Sequence, residues 1–133
     1  RQMAGLFIAG SGPHEALKAL KRMRRNGYCF TVDLLGEFCV CEKEALEYQA
    51  RYIQALDTFS DTVPTWREGA PLMAGHPGEL SPVCISVKLS ALYSQTGALN
   101  FRRSVDVLSD RLAEIERQHI DSRVRQFREL MAF

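Results

Sequence analysis

Apolar positions in this chain follow two different periods. Leu17, Leu20 and Met23 recur at helical spacing. Pro13 precedes them, where a first helical turn tolerates a missing N–H, and Glu15 follows on the favourable side of the helix dipole. Gly27 is a natural stop. Tyr28-Cys29-Phe30-Thr31-Val32 is instead a continuous run of aromatic and β-branched residues, which predicts a strand buried on both faces. Asp33 ends it, and residues 34–37 form the exit. Helical spacing returns from Glu42 to Phe59, with Leu46, Ala50, Ile53, Leu56 and Phe59 on one face. Residues 60–81 carry Pro64, Gly69, Pro71, Gly75, Pro77 and Gly78 and predict a long irregular segment. Val83-Cys84-Ile85-Ser86-Val87 predicts a second strand, ending in Lys88. After a loop over 90–99, Asn100 can cap a helix bearing Phe101, Val105, Leu108, Leu112 and Ile115. His119 falls on the face of Ile115. Beyond it the stripe Ile120, Val124, Phe127 and Met131 continues, and Asp121 or Ser122 offers the start of a separate short helix.

Two apolar strands separated by a helix predict a parallel βαβ unit, hence an α/β fold. The 133 residues fit a single domain. Residues 1–27 form a lead-in loop and helix, 28–119 two βα units, and 120–133 a helical tail. The chain starts at Arg1 and reads as a piece of a longer polypeptide.

Charge narrows the function classes. There are 17 Lys plus Arg against 16 Asp plus Glu, a net charge of +1. Nucleic acid is therefore not expected as the main partner, since phosphate binding calls for a basic excess. The cluster Lys21, Arg22, Arg24 and Arg25 reads as a solvated helix end. No apolar run approaches the ~20 residues needed to cross a bilayer. Cys29 and Cys84 lie in apolar runs and are expected to behave as small hydrophobes. Cys39-x-Cys41 lacks the spacing of zinc and redox sites, so no metal is expected and a reduced, cytoplasmic protein is the default. His14, His76 and His119 are scattered. No dinucleotide fingerprint, P-loop, nucleophile elbow or zinc-protease motif occurs.

The chemistry then concentrates at the strand ends. Parallel α/β folds bind ligands at the carboxyl ends of their strands. Asp33 closes the first strand and Lys88 the second, and with Glu37 they would cluster at one rim. Two readings are open: a ligand site, or a structural bridge from Asp33 or Glu37 to Lys88.

These residues carry a family resemblance. Tyr28 to Glu37, Y-C-F-T-V-D-L-L-G-E, resembles the first barrel strand of bacterial proline dehydrogenases. Ile85 to Leu92, I-S-V-K-L-S-A-L, resembles their second. The resemblance spans residues 5–116 and is strongest to the proline dehydrogenase domain of proline utilization A, a bifunctional bacterial flavoenzyme. It implies the N-terminal part of a distorted (β/α)8 barrel with FAD at the carboxyl ends of its strands. The implied reaction oxidises L-proline to Δ1-pyrroline-5-carboxylate and passes electrons through FAD to a membrane quinone. The implied whole protein is cytoplasmic, admits association with the periphery of the inner membrane, and admits self-association. By resemblance, Lys88 matches a lysine near flavin and substrate carboxylate. Glu37 matches a carboxylate paired with an arginine that closes the pocket, and Asp33 matches the acidic end of the first strand. An ammonium at Lys88 suits a carboxylate as a point charge, and would favour negative charge developing on a reduced flavin. The family's Tyr-x-x-Arg-Arg motif, on its last barrel helix, does not occur in this chain. Residues 116–133 stay helical where a third strand is expected. The segment is therefore expected to be inactive and flavin-free alone. The alternative is a non-catalytic helical interaction or oligomerisation module derived from the barrel, with apolar helix faces as its interface; a tail 120–131 folded back on the preceding helix would make the chain self-contained.

Overall fold

A computed structural model describes residues 8–36, 38–66 and 83–131, the last twelve of these by backbone alone. The elements are α1 (Pro13–Arg25), β1 (Val32–Asp33), α2 (Glu42–Thr62), β2 (Ile85–Ser86) and α3 (Phe101–Met131). Single 3₁₀ turns lie at Val63–Thr65, Leu89–Ala91 and Ala98–Asn100. The chain divides into two compact units: Arg1–Asp33 with Ala55–Ser86, and Leu34–Gln54 with Val87–Phe133.

In the first unit, α1 opens with Pro13 in its first turn after an extended Gly12, and Glu15 reaches back to the residue before that, Ser11. The Glu15 carboxylate accepts from the Ser11 N–H at 3.0 Å and the Ser11 hydroxyl at 2.7 Å. These two bonds tie the entering chain to an anion placed at the positive end of the helix. Gly27 stops the helix as expected, at φ 84°. Its N–H donates to the Arg24 carbonyl and the Tyr28 N–H to the Met23 carbonyl, each at 3.0 Å. This is the paired C-terminal bond pattern that a left-handed glycine permits.

That cap corrects the first strand. Tyr28 is committed to closing α1, so pairing begins only at Val32, whose N–H donates to the Cys84 carbonyl at 2.9 Å. The strands are parallel as expected, with Val32 opposite Ile85 and Asp33 opposite Ser86. They are shorter than the apolar runs and are not buried. Val32 and Ile85 are half-covered, Asp33 and Ser86 exposed. The sheet has two strands among the described residues, so each strand has one partner among them. Cys29 and Cys84 are exposed rather than packed as hydrophobes.

The α1 face is also shifted. Ala16, Leu20 and Arg24 are buried, whereas Met23 is exposed. The basic end is only partly solvated: the Arg24 guanidinium lies 5.2 Å from the Phe30 ring centroid, and the Lys21 ammonium 5.9 Å from that of Trp66. Long basic stems cover apolar surface while their heads meet the negative ring face.

In the second unit, α2 begins with the same device as α1. Glu44 accepts from the Val40 N–H at 2.7 Å. Helix α2 passes into the first unit at Ala55 and extends past Phe59 to Thr62, so residues 60–62 are helical rather than irregular. Residues 67–81 of the expected loop lie outside the described residues. Asn100 does not cap α3 with its side chain. It ends a 3₁₀ turn that runs directly into the helix, and its carbonyl accepts from the Ser104 hydroxyl at 2.8 Å. Helix α3 is unbroken for 31 residues. No separate helix starts at Asp121 or Ser122, and residues 120–131 continue the helix instead of folding back on it. The buried apolar residues of this unit are Cys39, Ala45, Tyr52, Ala91, Leu92, Tyr93, Leu108 and Ile115.

Candidate active site

The best-organised feature of the second unit is the segment from Lys88 to Ser94. Lys88 has extended backbone, φ −92° and ψ 110°, and immediately precedes a 3₁₀ turn. Both of its backbone polar groups are engaged. Its N–H donates to the Tyr52 hydroxyl at 3.1 Å, and its carbonyl accepts from the Ala91 N–H at 3.0 Å. Tyr52 lies on α2 and is completely buried. The Lys88 residue itself is half-buried.

Downstream the grip continues. The Ser90 carbonyl accepts from the Cys39 N–H at 3.3 Å and from its thiol at 3.4 Å. Burial pushes the Cys39 thiol up from its ordinary pKa, so it stays protonated and able to donate. Ala91, Leu92, Tyr93 and Ser94 are buried. The Leu92 carbonyl accepts from Arg111 on α3. Ser94 donates to Glu42 twice, from its N–H at 3.2 Å and from its hydroxyl at 2.6 Å. The other Glu42 oxygen pairs with Arg111 at 2.5 Å. Gln49 donates to the Arg111 carbonyl at 3.4 Å, and the Arg111 guanidinium lies 5.9 Å from the Tyr93 ring centroid. The Ser94 hydroxyl, opposed by partial burial and aided by Arg111, holds the Glu42 carboxyl below the usual carboxylate range.

The expected site residues fall as follows. Lys88 has both its N–H and its carbonyl bonded. Asp33 is exposed at the end of β1, in register with Ser86, which precedes Lys88 by two positions. Asp33 belongs to the first unit and Lys88 to the second. Glu37 lies outside the described residues. Among the described residues, no cluster of His, Cys, Asp or Glu could hold a metal, and no helix is long and apolar enough to cross a membrane.

Against known proteins, the proline dehydrogenase family model matches residues 16–130. The chain belongs to the proline dehydrogenase family. The match extends past residue 116 into the helical tail. Proline dehydrogenase 1 of Bacillus subtilis is 36% identical over 55 residues, covering 41% of this chain and 18% of that protein. The bifunctional protein PutA of Escherichia coli is 28% identical over 115 residues, 86% of this chain and 8% of that protein. A crystal structure of proline utilization A from Bdellovibrio bacteriovorus, inactivated by N-propargylglycine, superposes with a TM-score of 0.81 at 38% identity. It covers 91% of this chain and 13% of that one. The chain thus spans less than a fifth of the length of these relatives, and its fold is a partial proline dehydrogenase barrel: helix-rich, with two parallel strands.

Lys88 lies two residues past β2 rather than ending it as the sequence predicts, and the sequence does not reveal the residues that hold it. Tyr52, Glu42 and Arg111 are polar or amphipathic positions on helices and Ser94 lies in a turn, so periodicity scores them as surface or generic core. The available signal was local: Ser94 directly follows the buried Ala91-Leu92-Tyr93 run, and a buried hydroxyl needs a partner.

Proposed function

We propose that this chain is the opening part of a flavin-dependent proline dehydrogenase, in which Lys88 meets the carboxylate of L-proline. The complete enzyme converts L-proline to Δ1-pyrroline-5-carboxylate and passes the electrons through FAD to a quinone. Transfer to a quinone requires the complete protein, otherwise cytoplasmic, to reach the periphery of the inner membrane. The observation that carries this reading is the family match across residues 16–130, with Lys88 following the second strand of a parallel pair.

The residues in hand fit the flavin and the substrate to the extent that they bear on either. A lysine whose backbone is fixed is a competent point-charge partner for a carboxylate. FAD, when bound, supplies the acceptor for the hydride lost by proline. The part of this chain is to bind and orient. Lys88 anchors the substrate carboxylate, which fixes the ring relative to the acceptor. Asp33 contributes a carboxylate at the end of β1, and Glu37 is carried here by resemblance alone.

The test is Lys88→Ala in the complete protein. Affinity for a non-oxidisable proline analogue should fall by about tenfold or more, the scale of a charge-assisted contact. Unchanged affinity would remove Lys88 from the site.

A further inference from the structure

We infer that Tyr52 is a positioning residue for the substrate-binding cation: its buried hydroxyl fixes the backbone of Lys88 and thereby sets where the ammonium can reach. The inference rests on the assignment of Lys88 to the substrate carboxylate.

Three observations carry it. First, Tyr52 is completely buried, and its hydroxyl accepts the Lys88 N–H at 3.1 Å. A backbone N–H partly withdrawn from solvent gains from an acceptor, and here the acceptor is a side chain from α2 rather than a strand partner. Second, the Lys88 carbonyl is already used by the Ala91 N–H at 3.0 Å. With both backbone groups tied, the remaining freedom of Lys88 lies in its side-chain torsions. Third, the rest of the turn is fixed independently. Cys39 holds the Ser90 carbonyl, Arg111 holds the Leu92 carbonyl, and Glu42 holds Ser94. Losing the Tyr52 hydroxyl would therefore release the Lys88 end of the segment and leave the Ser94 end in place. That asymmetry separates positioning from general support. A lysine whose backbone swings keeps its charge but loses the geometry that matches an anion, and small misplacements of a binding group are costly.

The experiment uses the complete proline dehydrogenase and two probes of nearly equal shape, cyclopentanecarboxylate and cyclopentanecarboxamide. Neither carries the ring nitrogen that oxidation requires, and only the first presents an anion to Lys88. In Tyr52→Phe the carboxylate should bind about threefold to tenfold more weakly, the range of one lost hydrogen bond, while the carboxamide binds as in the parent. Added to Lys88→Met, the same substitution should change neither probe's affinity further. Equal weakening of both probes overturns the inference, because it reports general loosening. So does unchanged carboxylate binding in Tyr52→Phe when Lys88→Met weakens it. If Lys88→Met itself leaves carboxylate binding intact, the assignment of Lys88 falls, and the inference with it. Should Tyr52→Phe not yield folded protein, 3,5-difluorotyrosine at position 52 keeps the ring and offers a weaker acceptor. The ratio of the two affinities then reads the same effect.

Discussion

Glu42 and Arg111, 69 positions apart in the chain, meet at 2.5 Å and together secure the segment that follows Lys88. The pair is unequally exposed: the Arg111 side chain retains 14% of its accessible surface and Glu42 48%. Arg111 also donates to the Leu92 carbonyl, so it serves a buried backbone group as well as a carboxylate. Removing the arginine leaves that carbonyl without this donor, whereas removing the charge from Glu42 leaves a neutral acceptor for Ser94. Arg111→Ala should therefore cost about 2 kcal/mol. Glu42→Gln should cost about 1 kcal/mol or less, given the screening expected at a half-exposed carboxylate. Amide hydrogen exchange at Leu92–Ser94 checks this locally, and Arg111→Ala should accelerate it more than Glu42→Gln.

The same carboxylate predicts an acid response. Glu42 is held below its ordinary range chiefly by the Ser94 hydroxyl and also by Arg111. A carboxyl with a folded pKa below its unfolded value, about 4.3, stabilises the fold at neutral pH. That contribution stays complete above the unfolded value and is lost as pH falls through the folded one. Stability of the second unit should thus be flat from pH 7 to about 5 with respect to this group and decline below. The decline should be shallower in Glu42→Gln, which has no proton to take up. Urea midpoints at stepped pH give the comparison, and identical acid slopes in parent and variant would rule Glu42 out as the cause.

Two glycines are needed for their backbones. Gly27 sits at φ 84° at the end of α1, and Gly36 at φ 155° after β1. At Gly36 a side chain would also run into the ring of Tyr48. Gly27→Ala should cost about 1 kcal/mol, the penalty of a left-handed residue with a Cβ. Gly36→Ala should cost more, because strain and collision add, unless Tyr48 swings away. The double variant Gly36→Ala with Tyr48→Ala separates the two terms: recovery relative to Gly36→Ala measures the collision, and what persists is backbone strain plus the lost ring.

These supports also mark how far sequence reasoning reached. The D-L-L-G-E and K-L-S-A-L segments, each after an apolar run, were enough for the family and the parallel pairing, while β2 ends at Ser86, two residues short of Lys88. Hydrophobic period misjudged the faces. On α2 it selected Leu46, Ala50, Ile53, Leu56 and Phe59, but the buried side is Ala45, Gln49, Tyr52, Ala55 and Phe59, with Leu46 55% exposed. Small alanines allow close approach, and Gln49 and Tyr52 are buried because each meets a hydrogen-bond partner, Arg111 and Lys88. A hydropathy count gives neither feature any weight. On α3 the expected stripe included Phe101 and Val105, both exposed, whereas Ser104 is buried through its bond to the Asn100 carbonyl. Buried polar residues whose partners are distant in the chain cannot be found from period alone.

Thiol chemistry offers the last check, on the turn itself. Cys39 and Cys41 are two residues apart, yet Cys39 is fully buried and Cys41 exposed. Burial raises the pKa of the Cys39 thiol, and both its N–H and its thiol point at the Ser90 carbonyl. Thiolate is the reactive form, so burial lowers both access and the reactive fraction. Brief alkylation with iodoacetamide near pH 8, followed by peptide mapping, should modify Cys41 and spare Cys39 on the same peptide. Arg111→Ala should narrow the difference if the Lys88–Ser94 segment loosens as a unit, since Cys39 is sealed by that segment. Equal labelling of Cys39 and Cys41 in the unmodified sequence would show that the Ser90 anchor does not hold. Lys88 would then rest on Tyr52 and the Ala91 turn bond alone.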